Sequence, residues 1–291
     1  MDQDMTIATT AKPPVRAVVE RTFHTHDGTE IFYRYWPAVS DTARGAIVLF
    51  HRGHEHGGRM AHLADELAMP DYAFYAWDAR GNGRSGGERG YAPSFSSLVR
   101  DIDCFMREIT AMDGFAQTEV ALIAQSFGAV LAAAWVHDYA PPIRAMVLAS
   151  PAFSVKLYVP FARQGIALWQ KIKGRFFVNS YVKASMLTHD RERIASFETD
   201  SLITRPIASN LLVELYDHAD RIVADARARS RSPSVSWKKP GRTCRSLAVL
   251  PRLTKKSCCG PCRTTQSAPE IRSCVGTVMA RASATMRSAW S

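Results

Sequence analysis

Ser126 has the surroundings that most clearly point to chemistry in this chain of 291 residues. It stands in Ala124-Gln125-Ser126-Phe127-Gly128, where an apolar run ends and an alanine-rich one begins. A nucleophile elbow needs a small residue two before the serine and glycine two after it. The sharp strand-to-helix turn brings neighbouring backbones close and pushes the hydroxyl out over the sheet edge. A serine that caps a helix gives the same short string, so a second feature has to decide. That feature is the loop His51-Arg52-Gly53-His54-Glu55-His56-Gly57-Gly58-Arg59 after an earlier apolar run. Acyl transfer requires N–H groups aimed at the oxyanion, one from such a loop and one from the residue after the nucleophile. Phe127 occupies the second of those places. The same loop holds His51, His54, Glu55 and His56, which raises a metal site. Their spacing matches neither H-E-x-x-H nor H-x-x-E-H, and they follow a strand where those motifs need one face of a helix. The metal reading is set aside, and no cofactor is expected.

The elements that must position these groups follow from periodicity. FHTHDGTEIFYRYWP alternates around Asp27-Gly28 as a hairpin does. Gly45–Phe50 (GAIVLF), Ala73–Trp77, Val120–Ala124 and Ile143–Leu148 read as buried strands. Between them, Leu63 and Leu67 mark one helix, and Ser94–Met112 places Leu98, Ile102, Phe105 and Met106 on one face of another. Strands alternating with helices imply an α/β fold, a mostly parallel sheet covered on both faces. From Ser150 to about Ala226 the pattern turns to helices rich in aromatic and aliphatic residues, among them Leu157, Trp169, Phe176 and Phe177. This reads as an insertion over the sheet, either plain core or a lipid-accepting tunnel that also touches a membrane surface.

Composition divides the chain in three. Residues 1–20 form a polar leader without the basic-then-apolar order of a signal peptide, and no apolar run reaches the roughly 18 residues of a spanning helix. A cytoplasmic protein is expected. The formal charge of +10 is unevenly placed: residues 227–291 carry 14 Lys and Arg against Glu270 alone, which leaves the first 226 residues at −3. Five of the six cysteines lie in that tail, and Cys104 alone in the body gives no disulfide framework. The tail keeps no period of 2 or 3.6 residues. A basic arm for nucleic acid could be read from RARSRS, KKPGR and LTKK, and a zinc site from Cys258, Cys259 and Cys262. Against them, only Trp237 and Trp290 remain for base stacking, and no second ligand pair has finger-like spacing. A small-molecule partner is expected, with no nucleic acid.

FHRGHEHGGRM, WDARGNGRSGGERGY and AQSFGA together resemble the monoacylglycerol lipase and lysophospholipase branch of the α/β-hydrolases, also classed with serine aminopeptidases. MLTHDRERIASFETDSLITRP is similar to that branch's cap, so the resemblance spans residues 21–226, with a helical cap over about 150–226. It implies a serine esterase acting on acylglycerols, lysophospholipids or similar carboxyl esters. Ser126 would be its nucleophile, and Gly53 and Phe127 its oxyanion donors. Asp78 opens the family's D-x-x-G-x-G-x-S turn, so Asp78 through Ser85 are expected to shape that loop, with His51, Ala124 and Gly128 shaping the loop and elbow. His137 and His189 read as ordinary surface or helix residues. Ala124 stands where the family usually has glycine, and Arg52 stands at the second position of its His-Gly pair; neither removes an oxyanion N–H.

The resemblance also implies an Asp and then a His beyond the cap, on loops after two further strands. The tail contains neither residue. This points to lost C-terminal strands and to a reading-frame change near Ala226–Ser230. Reading each codon's third base with the next two, the Arg263/Thr264 and Thr264/Thr265 junctions are both NAC, which permits His-Asp where a catalytic His is expected. As written, the chain reads as a serine hydrolase without its triad partners. The alternatives are a catalytically dead hydrolase-fold binding protein or a basic-tail nucleic-acid binder.

Overall fold

The computed structural model describes residues 16–154, 162–179, 183–230 and 247–249. The Asp27-Gly28 turn joins β1 (Val19–His24) to β2 (Glu30–Trp36) as an antiparallel hairpin. Three strands follow, β3 (Gly45–Phe50), β4 (Tyr72–Trp77) and β5 (Val120–Gln125), and each is apolar because it is covered on both faces. β6 (Ala145–Ala149) starts two residues later than the apolar run Ile143–Leu148 predicts. The sheet order is β1-β2-β4-β3-β5-β6-β9, where β9 is Leu247–Val249. Neighbours from β4 through β6 pair in parallel, and β2 and β9 add antiparallel strands.

Helices α1 (His62–Glu66), α2 (Phe95–Asp113) and α3 (Phe127–Tyr139) make the crossovers. Local chemistry sets the ends of α2: Ser94 Oγ accepts from the Ser97 N–H at 3.0 Å, and Gly114 closes the helix at φ 74°. Its buried stripe, Phe95, Leu98, Ile102, Phe105, Met106 and Ile109, packs on the sheet and on α3. α3 is buried almost all round, which its run of alanines permits.

The cap region holds α4 (Ala162–Lys173), β7 (Phe177–Asn179), α5 (Arg191–Thr199) and β8 (Pro206–Ala208), with β7 and β8 paired antiparallel. Within the range expected for the cap, α6 (Ser209–Ser230) behaves differently. Leu211, Leu215, Ala219 and Ile222 recur at helical spacing and join the main core against α3, so this helix extends the layer that covers the sheet. The N-terminal range also differs from expectation. β1 begins at Val19, and Arg16 is pinned by its N–H to Asp65 Oδ1 at 3.0 Å and by its guanidinium to the Tyr72 and Met69 carbonyls. Only its first 15 residues lie outside the described structure. Of the tail, the first four residues continue α6 to Ser230, and Leu247–Val249 pair antiparallel along the outer edge of β6. The candidate zinc cysteines Cys258, Cys259 and Cys262 and the Arg263–Thr265 stretch lie outside the described residues.

Candidate active site

The carboxyl ends of the adjacent parallel strands β3 and β5 bring together the loop after one and the elbow after the other, where open α/β sheets bind ligands. Ser126 has φ 53° and ψ −114°, a conformation that costs a residue with a Cβ on the order of 1–3 kcal/mol. Both of its backbone groups are anchored: its N–H donates to the Ala149 carbonyl at 3.0 Å, and its carbonyl accepts from Ala129 and Ala152 at 3.1 and 3.2 Å. Ala124 is fully buried between its register partners Phe50 and Leu148. Gly128 answers a backbone approach, since a Cβ there would lie 2.3 Å from the His51 carbonyl oxygen. Gly53 lies against Phe127, with an added Cβ 3.3 Å from the Phe127 Cβ. The structure therefore brings Ser126, Gly53 and Phe127 to one place. A mostly apolar pocket beside them is lined by His51, Trp77, Leu98, Phe127, Leu131 and Leu211.

The residues expected to shape the loop are placed as follows. His51 Nε2 accepts the Ala79 N–H at 2.9 Å, so its Nδ1 carries the proton and donates to the Arg52 carbonyl at 2.7 Å. Burial pushes its pKa below the ordinary histidine value, and the ring is neutral at pH 7. Asp78 is fully buried; Oδ1 accepts from the Gly57 N–H at 2.8 Å and from Arg34 at 2.9 Å, and Oδ2 from the Arg84 N–H at 2.9 Å. Ser85 Oγ donates to the Asp78 carbonyl and accepts from the Phe32 N–H at 2.9 Å. Arg52 pairs with Glu55 and lies 5.6 Å from the centre of the Phe197 ring.

All nine histidines precede residue 227. Among the described residues, none is hydrogen-bonded to the Ser126 hydroxyl. His54 meets Thr204, His56 meets Asp200, and His137 bridges Asp138 and Asp225 between α3 and α6. Their separate engagements also leave no cluster of three or more His, Cys, Asp or Glu able to hold a metal among the described residues. Asp200, Phe197 and Thr204 were missed from the sequence. They touch the loop from positions well over a hundred residues away, and no local spacing marks them.

The fold agrees with what known proteins show. A model of the family described as serine aminopeptidase, S33, matches residues 41–233. The chain belongs to this family. Among relatives of this S33 chain, the uncharacterised protein YnbC of Escherichia coli K12 is 60% identical over 209 residues, covering 72% of this chain and 36% of YnbC. A monoacylglycerol lipase of Mycolicibacterium smegmatis is 30% identical over 187 residues, 63% of this chain and 65% of that one. The chain thus spans less than two thirds of either relative. The crystal structure of Paleococcus ferrophilus monoacylglycerol lipase superposes with a TM-score of 0.57 at 22% identity, over 72% of this chain and 73% of that one, and this likeness shows the α/β-hydrolase fold. Among the described residues no helix is long and apolar enough to cross a membrane.

Proposed function

We propose that this S33 protein is built to cleave carboxyl esters of the monoacylglycerol or lysophospholipid kind, with Ser126 as nucleophile. The observation that carries the reading is Ser126 held at φ 53° on the elbow while Gly53 packs against Phe127. In the reaction, Ser126 Oγ attacks the ester carbonyl carbon and the C=O electron pair moves to oxygen. The Gly53 and Phe127 N–H groups receive that oxyanion, and the alcohol leaves as the carbonyl reforms. A base must take the serine proton and pass it to the leaving alcohol, then activate the water that frees the acyl group from Ser126, and no described residue stands ready to do so. Loss of triad members costs on the order of 10⁴ to 10⁶ in kcat, so slow turnover is expected of the chain as written.

The substrate class is supported by a relative, the monoacylglycerol lipase of M. smegmatis, which is 30% identical over 187 residues. The cap offers a route to such substrates: Leu168, Trp169 and Ile172 form an apolar stripe on α4, 60%, 51% and 64% exposed, beside Lys171 and Lys173. The test is labelling by a fluorophosphonate, with 1-oleoylglycerol hydrolysis measured alongside. Labelling confined to Ser126 and abolished in Ser126→Ala supports the proposal; a folded chain whose Ser126 stays unlabelled overturns it. The missing base favours a second reading, a hydrolase-fold protein that binds a lipid without cleaving it. That protein would bind 1-oleoylglycerol but resist the label.

A further inference from the structure

The loop that carries Gly53 is gripped by one short segment of the cap region, Ser196–Thr204, on both flanks of the glycine. On the near side, Thr204 N–H donates to the His54 carbonyl at 2.8 Å, and His54 Nδ1 lies 2.7 Å from the Thr204 carbonyl. This two-way contact holds His54 at φ 72°, a conformation that a non-glycine residue seldom adopts unaided, immediately after Gly53. Further along the loop, His56 Nε2 donates to Asp200 Oδ2 at 2.9 Å, and Arg59 donates to the same oxygen at 3.2 Å and to the Ser196 carbonyl at 3.3 Å. The Arg52 and Arg59 guanidinium groups stand 5.6 and 5.5 Å from the centre of the Phe197 ring, with Glu55 paired to both.

These are not surface pairs. The side chains of Glu55, His56, Arg59 and Asp200 are 5%, 8%, 17% and 18% exposed, so their attraction is little screened. Burial alone would raise the Asp200 carboxyl, but the His56, Leu202 and Arg59 contacts outweigh it and hold it below the usual carboxylate range. Asp200 is therefore ionised at neutral pH and anchors two side chains of the loop at once.

We propose that Asp200 is a positioning residue, acting through His56 and Arg59 to fix the loop so that the Gly53 N–H stays aimed at the oxyanion. This rests on the proposed role of Gly53. Phe197 and Thr204 complete the clasp, which makes α5 and the turn after it part of the apparatus that holds the donor. A displacement of this segment by a bound acyl group or headgroup would reach Gly53 through the same contacts.

The test uses the full chain as wild type, D200A and D200N, with two readouts. Hydrogen exchange is followed by mass spectrometry over residues 51–59, 120–131 and 191–204, and the rate of phosphonylation of Ser126 is measured against fluorophosphonate concentration. Loss of two charge-assisted hydrogen bonds should speed exchange over 51–59 by about tenfold or more in D200A, with 120–131 unchanged. D200N keeps one acceptor for His56 and should recover part of the protection. The maximal labelling rate should fall in the same order while half-saturation holds, because the phosphoryl oxygen uses the donors only as the bond forms. Faster exchange confined to 191–204, with 51–59 within twofold of wild type, would show that Asp200 merely packs the cap and would overturn the proposal. If D200A fails to fold, D200N decides by the same criterion. If wild-type Ser126 is not labelled, the proposed function fails separately, and the exchange over 51–59 still decides whether Asp200 holds the loop.

Discussion

Replacing Gly128 with alanine tests how tightly the elbow and the loop after β3 are pressed together. The new Cβ would meet the His51 carbonyl oxygen at 2.3 Å and the Phe50 carbonyl oxygen at 3.1 Å. Carbon and carbonyl oxygen rest no closer than about 3.3 Å, so a gap of about 1 Å must open. The obstacle is backbone at the end of a central strand and cannot swing away, which places the overpacking cost near the upper end of about 1–3 kcal/mol. Alanine suits a helix better than glycine by about 1 kcal/mol, which works the other way. The remainder is about 2 kcal/mol, or a fall in Tm of about 4–8 °C for a domain of this size. A 1 Å displacement of Gly53 from Phe127 should also slow labelling of Ser126 by about 10²-fold. Gly53→Ala is the control: its Cβ would sit 3.3 Å from a side-chain carbon, and its cost should stay below about 1 kcal/mol. Thermal unfolding of both variants, followed by near-UV circular dichroism, reads the difference. A Gly128→Ala protein melting at or above the wild-type temperature would refute the argument from backbone approach.

Arg80 donates to both oxygens of the fully buried Asp101 at 2.8 Å and also pairs with Asp27. Arg80→Ala strands that carboxylate and should cost about 3–5 kcal/mol in urea unfolding, whereas Arg80→Met with Asp101→Leu should recover much of the loss. The stripe on α4 predicts binding to anionic phosphatidylserine vesicles. Lys171→Glu with Lys173→Glu should weaken it at least tenfold, since each basic residue near such a surface contributes about 1 kcal/mol; equal binding by the variant in a sedimentation assay would remove α4 from the contact. Burial lowers the pKa of both His51 and His54, so below pH 6.5 the unfolded chain takes up protons that the folded one refuses. Stability should be level above pH 6.5 and fall below it by up to about 1.4 kcal/mol per pH unit for each ring, until the depressed folded values are reached. Urea midpoints at pH 7.5, 6.0 and 5.0 measure this, and His54→Gln should make the decline shallower.

Much of this architecture was legible because its causes are local. Short runs such as GAIVLF, bounded by loops, suit strands covered on both faces, and the stripe from Leu98 to Met106 suits one face of a helix. Ser126, Gly53 and Phe127 could be foreseen together because each follows the end of a strand, and parallel strands place those ends side by side. What stayed hidden depends on contacts between distant segments. Asp200 lies 144 residues from His56, and the acid gives no local sign of its partner. The stripe Leu211, Leu215, Ala219 and Ile222 was visible in principle, but its composition runs on from the cap, so only packing against α3 distinguishes α6. Leu247–Val249 form a strand by pairing with β6, in a stretch whose own sequence keeps no strand period.

The two halves of the proposed reaction rest on different parts of the chain. Among the described residues, the contacts proposed to aim Gly53 and those that hold Ser126 and press Gly128 against His51 lie within residues 16–230. In the proposed reaction oxyanion stabilisation is therefore built before any base is supplied, and such donors retain a part of catalysis when triad members are absent. A change in the residues beyond α6 should act on proton transfer and leave the donor geometry as it is. Phosphonylation of Ser126 and ester turnover then separate: the first depends on elbow, donors and base together, the second also on releasing the acyl group with water. A chain given an Asp and a His in its tail should gain far more in turnover than in the hydrogen-exchange protection of residues 51–59, because the clasp at Asp200 already fixes that loop.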